Sequence, residues 1–402
     1  MNILMISFDK TLASNGPAKF GNTLKRHISY TAALRHQYPD SQIVILVRVP
    51  PGQAQKPILV APGLTIYPLP CRRPLFFYTA RKLAVHIIRD HAINLITTQT
   101  PFDDGLLGLW LKHRYKLALN VQMRSSFLDQ PYWIREHPFI YRLFNILGIY
   151  VAKHADTIRV VCQGEKQRLE QRFLQLRKKI FALHPLIDLA TFTTPLSQTE
   201  RQQILATLHQ AHLADMPFLV YVGRVVEQKN LPTLFRALAL LKQKNQSIAL
   251  VIPGDGPLRP ALTQLAKQLS ITDRVLWLGS QPLSSLRGWF ALARCLVMPS
   301  FHEGFGKTIV ESYCLGTPAI LAPFVSAAEL VQHEATGFIT KNYTDYKELA
   351  TYISRLLVDP NLAKRFGEQG KDFLLNHYLL KPDDYSQQLL KIWEQTLIVC
   401  AV

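Results

Sequence analysis

Residues 299–318 read PSFHEGFGKTIVESYCLGTP and bring three structural signals together within one short stretch. The apolar run just before it, residues 295–298, predicts a buried strand that ends at a Pro-Ser turn. Residues 308–315 predict a helix, and Gly304 to Gly306 would form the loop between strand and helix. A strand, a glycine turn and a helix in this order are typical of a parallel α/β sheet.

The same stretch also predicts a binding site. Glycines let the backbone approach a ligand closely and adopt positive φ, and the first turn of a helix offers free N–H groups to a phosphate. Glu311 lies one turn inside the helix and Glu303 precedes the loop, so both could accept hydrogen bonds from hydroxyls. A diphosphate that carries two sugars would suit this arrangement. The alternative is an exposed loop acid, a solvated helix residue and an ordinary turn.

Length and composition are those of a globular protein. The 402 residues, 48% hydrophobic and 18% charged, are enough for two or three domains of about 100–200 residues each. No segment reaches the roughly 18 uninterrupted apolar residues of a membrane-spanning helix. The opening MNILMISFDK has no basic segment before its apolar run, so we interpret it as a first strand and not as a secretion signal. We expect a soluble or peripheral protein.

The five cysteines are scattered along the chain, as Cys71, Cys162, Cys295, Cys314 and Cys400. They have neither metal-ligand nor CxxC spacing. We therefore interpret them as reduced core residues of a cytoplasmic protein, and we predict no disulfide and no metal site.

The net charge of +18 is distributed unevenly. Residues 1–200 contain 26 Lys and Arg against 12 Asp and Glu, a balance of +14, which leaves +4 for the remainder. Any anionic surface or acceptor is therefore expected to meet the first half of the chain.

Two apolar segments look like the first strands of separate sheets, NILMISF at residues 2–8 and FLVYVG at 218–223. Each is followed by apolar runs that alternate with helical patterns, which predicts two α/β domains with doubly wound parallel sheets. Because ligands bind beyond the carboxyl ends of such strands, the two domains would face each other across a binding cleft. Further strands are expected at 43–49, 95–98, 116–121, 157–161, 249–252, 275–278, 295–298 and 319–322.

Two more loops of the second half carry residues that suit a nucleotide diphosphate. YVGRVVEQKN contains Gly223, and its Arg224 and Lys229 could both reach one anion and neutralise a leaving diphosphate. VIPGDGPLRPAL contains a tight turn that begins at Gly254 and precedes a helix. Either loop alone is more simply explained by surface charges and turn formation. Three such loops on successive strands favour a common site.

The second half resembles the GT-B-fold, retaining glycosyltransferases of family 4, most strongly over residues 218–342. The resemblance rests on GRVVEQKN, PGDGPLR, the core PSFHEGFGKTIVE, GTPAI and ATGFI. It implies two Rossmann-like domains and transfer from a nucleotide-sugar, with a UDP- or GDP-sugar as co-substrate and no cofactor. Since the sequence contains no metal-ligand cluster, we expect the activity to persist in a chelator. It also implies retention of the anomeric configuration without a covalent enzyme intermediate.

The resemblance assigns roles to individual residues. Arg224 and Lys229 would bind the donor diphosphate, Glu303 the hydroxyls of the transferred sugar, and Glu311 the ribose hydroxyls. We take Glu303, Arg224 and Lys229 as the catalytic set. The remaining donor-binding residues are Gly16, Gly223, Gly254, Gly304, Phe305, Gly306, Lys307, Thr308 and Glu311.

The first half matches the family only in outline. SNGPAKFGNTL, with Gly16, stands where the family has a glycine-rich loop, but NVQMRSS replaces a family histidine with Gln122, Met123 and Arg124. Arg124 could bind an anionic acceptor or the donor phosphate, or form an ordinary salt bridge. His184, in HPLIDLATF, is interpreted as a turn residue.

Two segments of the first half raise the question of a membrane. CRRPLFFYTARKL, residues 71–83, flanks aromatic rings with arginines, as binding to an anionic bilayer requires. FIYRLFNILGIYVAKHA, residues 139–155, is apolar and thinly charged. A core helix with solvated arginines is an equal alternative for the first segment and the favoured one for the second. Docking of the first half on a membrane is our hypothesis.

The boundaries follow from composition. Residues 187–216 suit a linker and an approach helix, so we predict an acceptor-binding domain at 1–200 and a donor-binding domain at 201–371. A C-terminal helix within 372–402 would pack back on the first domain. The predicted function is transfer of a sugar to a glycan or lipid-linked acceptor in cell-surface polysaccharide or glycolipid synthesis. The alternatives are an epimerase or phosphorylase on the same fold, and a basic nucleic-acid-binding protein, although we expect no nucleic acid.

Overall fold

The structure is a computed structural model that describes residues 1–13, 22–52, 56–187, 189–378 and 381–401. The chain forms two compact units. The first unit contains Met1–Leu186 together with the last helix, and the second begins at Ile187. Each unit is built around one sheet whose strands are mainly parallel, so the predicted class of two Rossmann-like α/β domains is confirmed.

The first unit has an eight-stranded sheet in the order β3-β4-β2-β1-β5-β6-β7-β8. All its pairings are parallel except that of β3 with β4. Its strands are β1 (Asn2–Ser7), β2 (Gln42–Val49), β3 (Ile58–Ala61), β4 (Leu64–Pro70), β5 (Leu95–Thr98), β6 (Ala118–Met123), β7 (Thr157–Val160) and β8 (Ile180–Ala182). Its helices are α1 (Asn22–Gln37), α2 (Phe76–Asp90), α3 (Asp103–Tyr115), α4 (Pro131–Glu136), α5 (Pro138–His154) and α6 (Gln163–Arg172), with α16 (Pro382–Ala401) added from the C-terminus.

Strand β1 shows why this sheet carries helices on both sides. Its successive side chains point to opposite faces, as a period of two residues dictates. Ile3 and Met5 lie in the core cluster that also contains Tyr385 and Trp393 of α16. Leu4 and Ile6 lie in the cluster on the other face. Since both faces are covered, the strand is apolar throughout and not alternating.

The second unit has a six-stranded parallel sheet in the order β11-β10-β9-β12-β13-β14. Its strands are β9 (Phe218–Val220), β10 (Ala249–Pro253), β11 (Val275–Gly279), β12 (Cys295–Met298), β13 (Ala319–Leu321) and β14 (Gly337–Ile339). Its helices are α7 (Ala190–Thr193), α8 (Gln198–Gln210), α9 (Leu231–Gln243), α10 (Arg259–Gln268), α11 (Leu283–Leu292), α12 (Lys307–Cys314), α13 (Ala327–Leu330), α14 (Tyr346–Val358) and α15 (Pro360–Tyr378). The strand order reverses between β9 and β12, and ligands of doubly wound sheets bind at such a point.

The unit boundary lies earlier in the chain than the predicted linker suggests. The approach helix does form as α8, and a capping box between Ser197 and Glu200 fixes its start. Its residues Ile204 and Leu208 are buried, Ile204 against Gly288 of α11. Arg287 of α11 also pairs with Glu200. Residues 187–210 therefore belong to the second unit.

The C-terminal region contains the ends of two helices. Two helices share residues 372–402, because α15 ends at Tyr378 and α16 begins at Pro382. Proline has no N–H to donate and fits the first turn of a helix, where that donor is not needed. Only α16 belongs to the first unit, and Tyr385, Leu389 and Trp393 bury it there.

The interpretation of residues 139–155 as a core helix holds for one face of α5 only. Gly148, Val151 and Ala152 are buried, whereas Phe139, Ile140, Leu143, Ile146 and Tyr150 are 51–90% exposed. In the segment 71–83, Phe76 is buried and Leu75 and Tyr78 are exposed. No helix in the described part of the chain is both long and apolar enough to span a bilayer.

Candidate functional site

The predicted donor-binding residues of the second unit gather at the carboxyl ends of β9, β10 and β12. Loop 221–230 follows β9, loop 254–258 follows β10 and loop 299–306 follows β12. Parallel pairing of β9 with both β10 and β12 brings the three loops to one edge of the sheet. This edge is the reversal point of the strand order, so the location fits a ligand site.

Two glycines allow the first two loops to touch. A Cβ atom on Gly254 would lie 2.0 Å from the carbonyl oxygen of Gly223, and a Cβ on Gly256 would lie 2.3 Å from that of Val225. Real Cβ atoms do not approach backbone oxygens so closely, so only glycine fits at both positions. The Val225 N–H also donates to the Asp255 carbonyl at 2.9 Å. The two loops therefore form one rigid backbone platform.

Lys229 and Glu303, which are 74 residues apart, form an ion pair. The Nζ atom donates to Oε1 at 2.5 Å, and the two side chains are only 14% and 10% exposed. The loops are tied further by Gln228, whose side chain donates to the His302 carbonyl at 2.7 Å and whose carbonyl accepts from the Phe301 N–H. Two predicted catalytic residues thus lie in direct contact, with little solvent around them.

Asn230 is a residue of this site that the sequence reasoning missed. It is buried with φ of +49°, and its amide donates to the carbonyls of Pro299 and Tyr343 at 3.1 and 2.7 Å. It thereby joins the loop after β9 to the loop after β12. The sequence Lys-Asn-Leu-Pro could have indicated this role. Asparagine tolerates the left-handed region of backbone conformation, and the proline that follows marks the start of helix α9.

The start of α12 has the geometry expected of a phosphate site. Gly306 is the N-cap residue with φ of +93°, and no side chain caps the helix there. A Cβ at this position would lie 2.7 Å from Ile309 Cδ1. Phe305 is buried, and its carbonyl accepts a hydrogen bond from Ser326 at 2.9 Å. The Ile309 N–H donates to the Gly306 carbonyl at 3.0 Å. The backbone around Gly306 is therefore held in place at the end of the helix where N–H groups can face a phosphate.

Glu311 is buried on the first turns of this helix and is 8% exposed. No hydrogen bond reaches its carboxyl group from any described part of the chain. Burial raises the pKa of Glu311 from its ordinary value to about 7, while the neighbouring Lys307 lowers it. Since the described protein groups give this carboxyl group no donor, the hydroxyl groups of a ligand are suited to supply them.

The other predicted residues lie apart from these contacts or outside the described residues. Arg224 is exposed, and its carbonyl accepts from the Tyr221 hydroxyl at 2.8 Å. Burial raises the pKa of that tyrosine, so it remains a neutral donor. Arg124 follows β6 in the first unit. Gly16 lies outside the described residues.

Among the described residues there is no cluster of three or more His, Cys, Asp or Glu side chains that could hold a metal ion. The five cysteines are free thiols, and all except Cys400 are buried. The four buried sulfur atoms thus contribute to packing in the protein interior.

Family models match both halves of the chain. The model described as "Glycosyl transferases group 1" covers residues 207–373, and "Glycosyltransferase Family 4" covers residues 29–191. The first match contains all three loops of the site.

Known relatives and solved structures agree with these matches. The chain is 24% identical to alpha-monoglucosyldiacylglycerol synthase of Streptococcus pneumoniae over 83% of its own length and 79% of that protein's. Sucrose-phosphate synthase of Thermosynechococcus elongatus superposes with a TM-score of 0.77 over 98% of both chains, at 20% identity. HepE of Anabaena, solved in complex with UDP and glucose, superposes with a TM-score of 0.71 over 97% of this chain and 98% of its own, at 17% identity. The chain therefore belongs to the group 1, family 4 glycosyltransferases and has their GT-B fold.

Proposed function

We propose that this glycosyltransferase moves a sugar from a nucleotide-sugar to a glycan or lipid-linked acceptor and retains the anomeric configuration. The observation that carries the proposal is Glu311, a buried carboxyl group that accepts no hydrogen bond from the described residues, one turn inside a helix that begins at a glycine turn. Ribose hydroxyls would supply the missing donors, and the diphosphate would bind the helix terminus. HepE is a protein of the same fold that binds UDP, which makes UDP the first nucleotide to test.

In the proposed reaction, positive groups of the protein stabilise the leaving diphosphate, and no covalent enzyme intermediate forms. The bond between the sugar's anomeric carbon and the β-phosphate oxygen breaks, and the acceptor oxygen bonds to the same face of that carbon. The acceptor proton passes to the departing phosphate. Arg224, Lys229 and the N–H groups of α12 would stabilise the negative charge that develops on the diphosphate. Glu303, held by Lys229 at 2.5 Å, would orient the hydroxyls of the transferred sugar.

A glycolipid or polysaccharide pathway is part of this proposal. The similarity to alpha-monoglucosyldiacylglycerol synthase supports a lipid-linked acceptor. The buried free thiols suit the reducing cytoplasm, so we place the enzyme there, at the inner face of the membrane.

The activity is tested by incubating the protein with UDP-glucose, UDP-galactose or GDP-mannose and vesicles that contain diacylglycerol, with EDTA present. Product NMR should show a new glycoside with the configuration of the donor, and EDTA should not reduce the rate. A free or isomerised sugar as the only product would instead identify a phosphorylase or an epimerase. An inverted glycoside would contradict the retaining mechanism.

The membrane contact in this proposal uses the exposed face of α5. Phe139, Leu143, Ile146 and Tyr150 follow the spacing i, i+4, i+7 and i+11, which aligns them along one stripe of a helix. Their exposed fractions are 90%, 66%, 66% and 51%. The helix carries no acidic residue, and Arg142 is exposed beside the stripe. An apolar stripe with a cationic edge suits the interface of an anionic bilayer.

The stripe also adjoins the arginine-rich segment. Arg73 lies over the ring of Phe144 of α5 at 5.5 Å, and both line a cavity of about 250 Å³ with Pro74, Phe76 and Phe77. The exposed Leu75 and Tyr78 belong to the same segment. The two segments singled out from the sequence therefore form one continuous surface, which we call the α5 surface.

Flotation with vesicles tests the α5 surface. The wild type should float with phosphatidylglycerol vesicles at low salt and dissociate as salt rises, because screening weakens the attraction. Leu143→Glu should stay in solution, whereas Leu174→Glu, which changes an apolar residue that is 62% exposed elsewhere in the unit, should float normally. Equal behaviour of the two variants would contradict the assignment, and dimerisation of the wild type without vesicle binding would identify a second copy as the partner.

A further inference from the structure

The first unit contains an arginine that is buried and forms no ion pair within the described residues. Arg159, on β7, is 6% exposed. It donates to the Gln122 side chain at 2.9 Å, to the Leu183 carbonyl at 3.1 Å and to the Tyr385 hydroxyl at 2.6 Å. All three acceptors are neutral. Its Nε atom is buried and has no partner in the described part of the chain.

The neighbours of these partners are neutral as well. Gln122 donates to Thr97, and Thr97 donates to Asn120. Asn120 in turn donates to Thr157, which shares a hydrogen bond with Thr396 of α16. This network satisfies amide and hydroxyl groups but contains no carboxylate. The tyrosine ring under Arg159, at 5.5 Å, offsets only part of the cost of burying the charge.

Further positive charge lies at the same edge of the sheet. Arg124 follows the carboxyl end of β6, and Arg26 is on the first turns of α1. Desolvation lowers the pKa of Arg124, and the nearby charges of Arg159 and Arg26 lower it further. Burial lowers the pKa of His27 to about 4, and the charges of Arg124 and Arg26 act in the same direction, so this histidine is neutral at pH 7.

Arg124 is surrounded by protein atoms that desolvate it, yet part of its side chain remains open to solvent. It has no hydrogen bond or ion pair within the described residues. Its guanidinium group is therefore available to a ligand, in a field of like charges that an anion would relieve. A guanidinium fork binds the oxygens of a phosphate in a bidentate manner. Several positive charges in one place suit a doubly charged phosphate better than a singly charged carboxylate.

We propose that Arg124, supported by Arg159 and Arg26, forms an anion site at the carboxyl edge of the first sheet and binds a phosphate ester on the acceptor. The assignment to the acceptor rests on the proposed function, because the donor diphosphate is assigned to the loops of the second unit. Arg124 would bind the phosphate directly. Arg159 is a positioning residue: it is buried on β7, and its positive charge adds to the attraction for the phosphate without contacting it.

The test titrates glycerol 1-phosphate into the full-length protein after saturation with UDP, which fills the phosphate-binding loops of the second unit. Calorimetry should detect binding of glycerol 1-phosphate and none of glycerol. Arg124→Met should weaken binding about tenfold or more, because a charge-assisted hydrogen bond is lost. Arg135→Met removes an exposed arginine of the same unit and should leave the affinity unchanged.

Three results would overturn the proposal: no binding of glycerol 1-phosphate by the wild type, equal affinities for wild type and Arg124→Met, or equal weakening by Arg135→Met. Equal binding of glycerate would overturn the choice of phosphate over carboxylate. The UDP titration is read separately. If UDP fails to bind, the proposed function fails, whereas the comparison of wild type with Arg124→Met still decides the anion site.

Discussion

Glu311 is the side chain on which the donor site depends most. It is buried, it has no hydrogen-bond donor in the described protein, and burial raises its pKa to about 7. Near neutral pH it is therefore close to half protonated. Hydroxyl groups of a ligand donate best to the ionised form, so ligand binding should lower its pKa again. We infer that nucleotide affinity falls as the pH drops below about 7.

Glu311→Gln should remove a pH-dependent contribution to stability. The pKa of the glutamate is raised on folding from 4.5 to about 7, so the folded protein binds the proton more tightly than the unfolded chain. The wild type should therefore lose stability relative to the variant as pH rises from 4.5 to 7, by on the order of 3 kcal/mol. Urea unfolding of both proteins at pH 5 and pH 8 measures this difference. A constant difference between the two proteins would contradict the assignment.

Variants of the ion pair of Lys229 and Glu303 should show whether Lys229 acts in catalysis or only in protein stability. Lys229→Met leaves a buried carboxylate unpaired and should cost about 3 kcal/mol of unfolding free energy. It should also lower kcat/KM about 100-fold, because a charge that stabilises the leaving diphosphate is lost. Adding Glu303→Gln should restore most of the stability but not the activity. If activity returned with stability, Lys229 would be a structural residue only.

At the scale of elements, the loops after β9, β10 and β12 act together because glycines let their backbones touch. A methyl group at position 254 would lie 2.0 Å from the Gly223 carbonyl oxygen, so Gly254→Ala must push the two loops apart. We expect a loss of about 1–3 kcal/mol in stability, as for other overpacked sites, and a higher KM for the donor. Thermal unfolding and initial rates measure both. Unchanged kinetics would show that the platform does not position the donor.

The sequence predicted those strands and helices whose pattern lies within a few consecutive residues. It did not predict contacts between residues far apart in the chain. Apolar runs bounded by turns gave β5, β12 and the start of the second sheet with little error. β4 was missed because Pro68 and Pro70 interrupt its pattern. β14 was missed because Gly337 leaves it only two apolar residues, Phe338 and Ile339. The glycine loop and α12 carried strong local signals. The contact of Lys229 with Glu303 joins residues 74 positions apart, and no local pattern contains it.

At the scale of the whole molecule, charge and apolar surface are concentrated in the first unit. The excess of positive charge was visible from composition alone, and Arg124 and the segments 71–83 and 139–155 were already candidates for anion and membrane binding. The hydrogen bonds of Arg159 and the exposure of the α5 stripe became visible only in the structure. A helical period identifies an apolar face without saying what covers it, which is why α5 was interpreted as a core helix. The division of labour proposed for the two units, with the donor on the second and the acceptor on the first, follows from these distributions.

The central claim is that the edge of the second sheet binds a nucleoside diphosphate with Glu311 on its ribose hydroxyls. Calorimetric titration of wild type and Glu311→Ala with UDP and with 2′,3′-dideoxy-UDP tests it most directly. The wild type should bind UDP about tenfold or more tightly than the dideoxy compound, since the carboxylate loses its donors. Glu311→Ala should bind the two compounds equally. A variant that discriminates between them as strongly as the wild type does would contradict the claim.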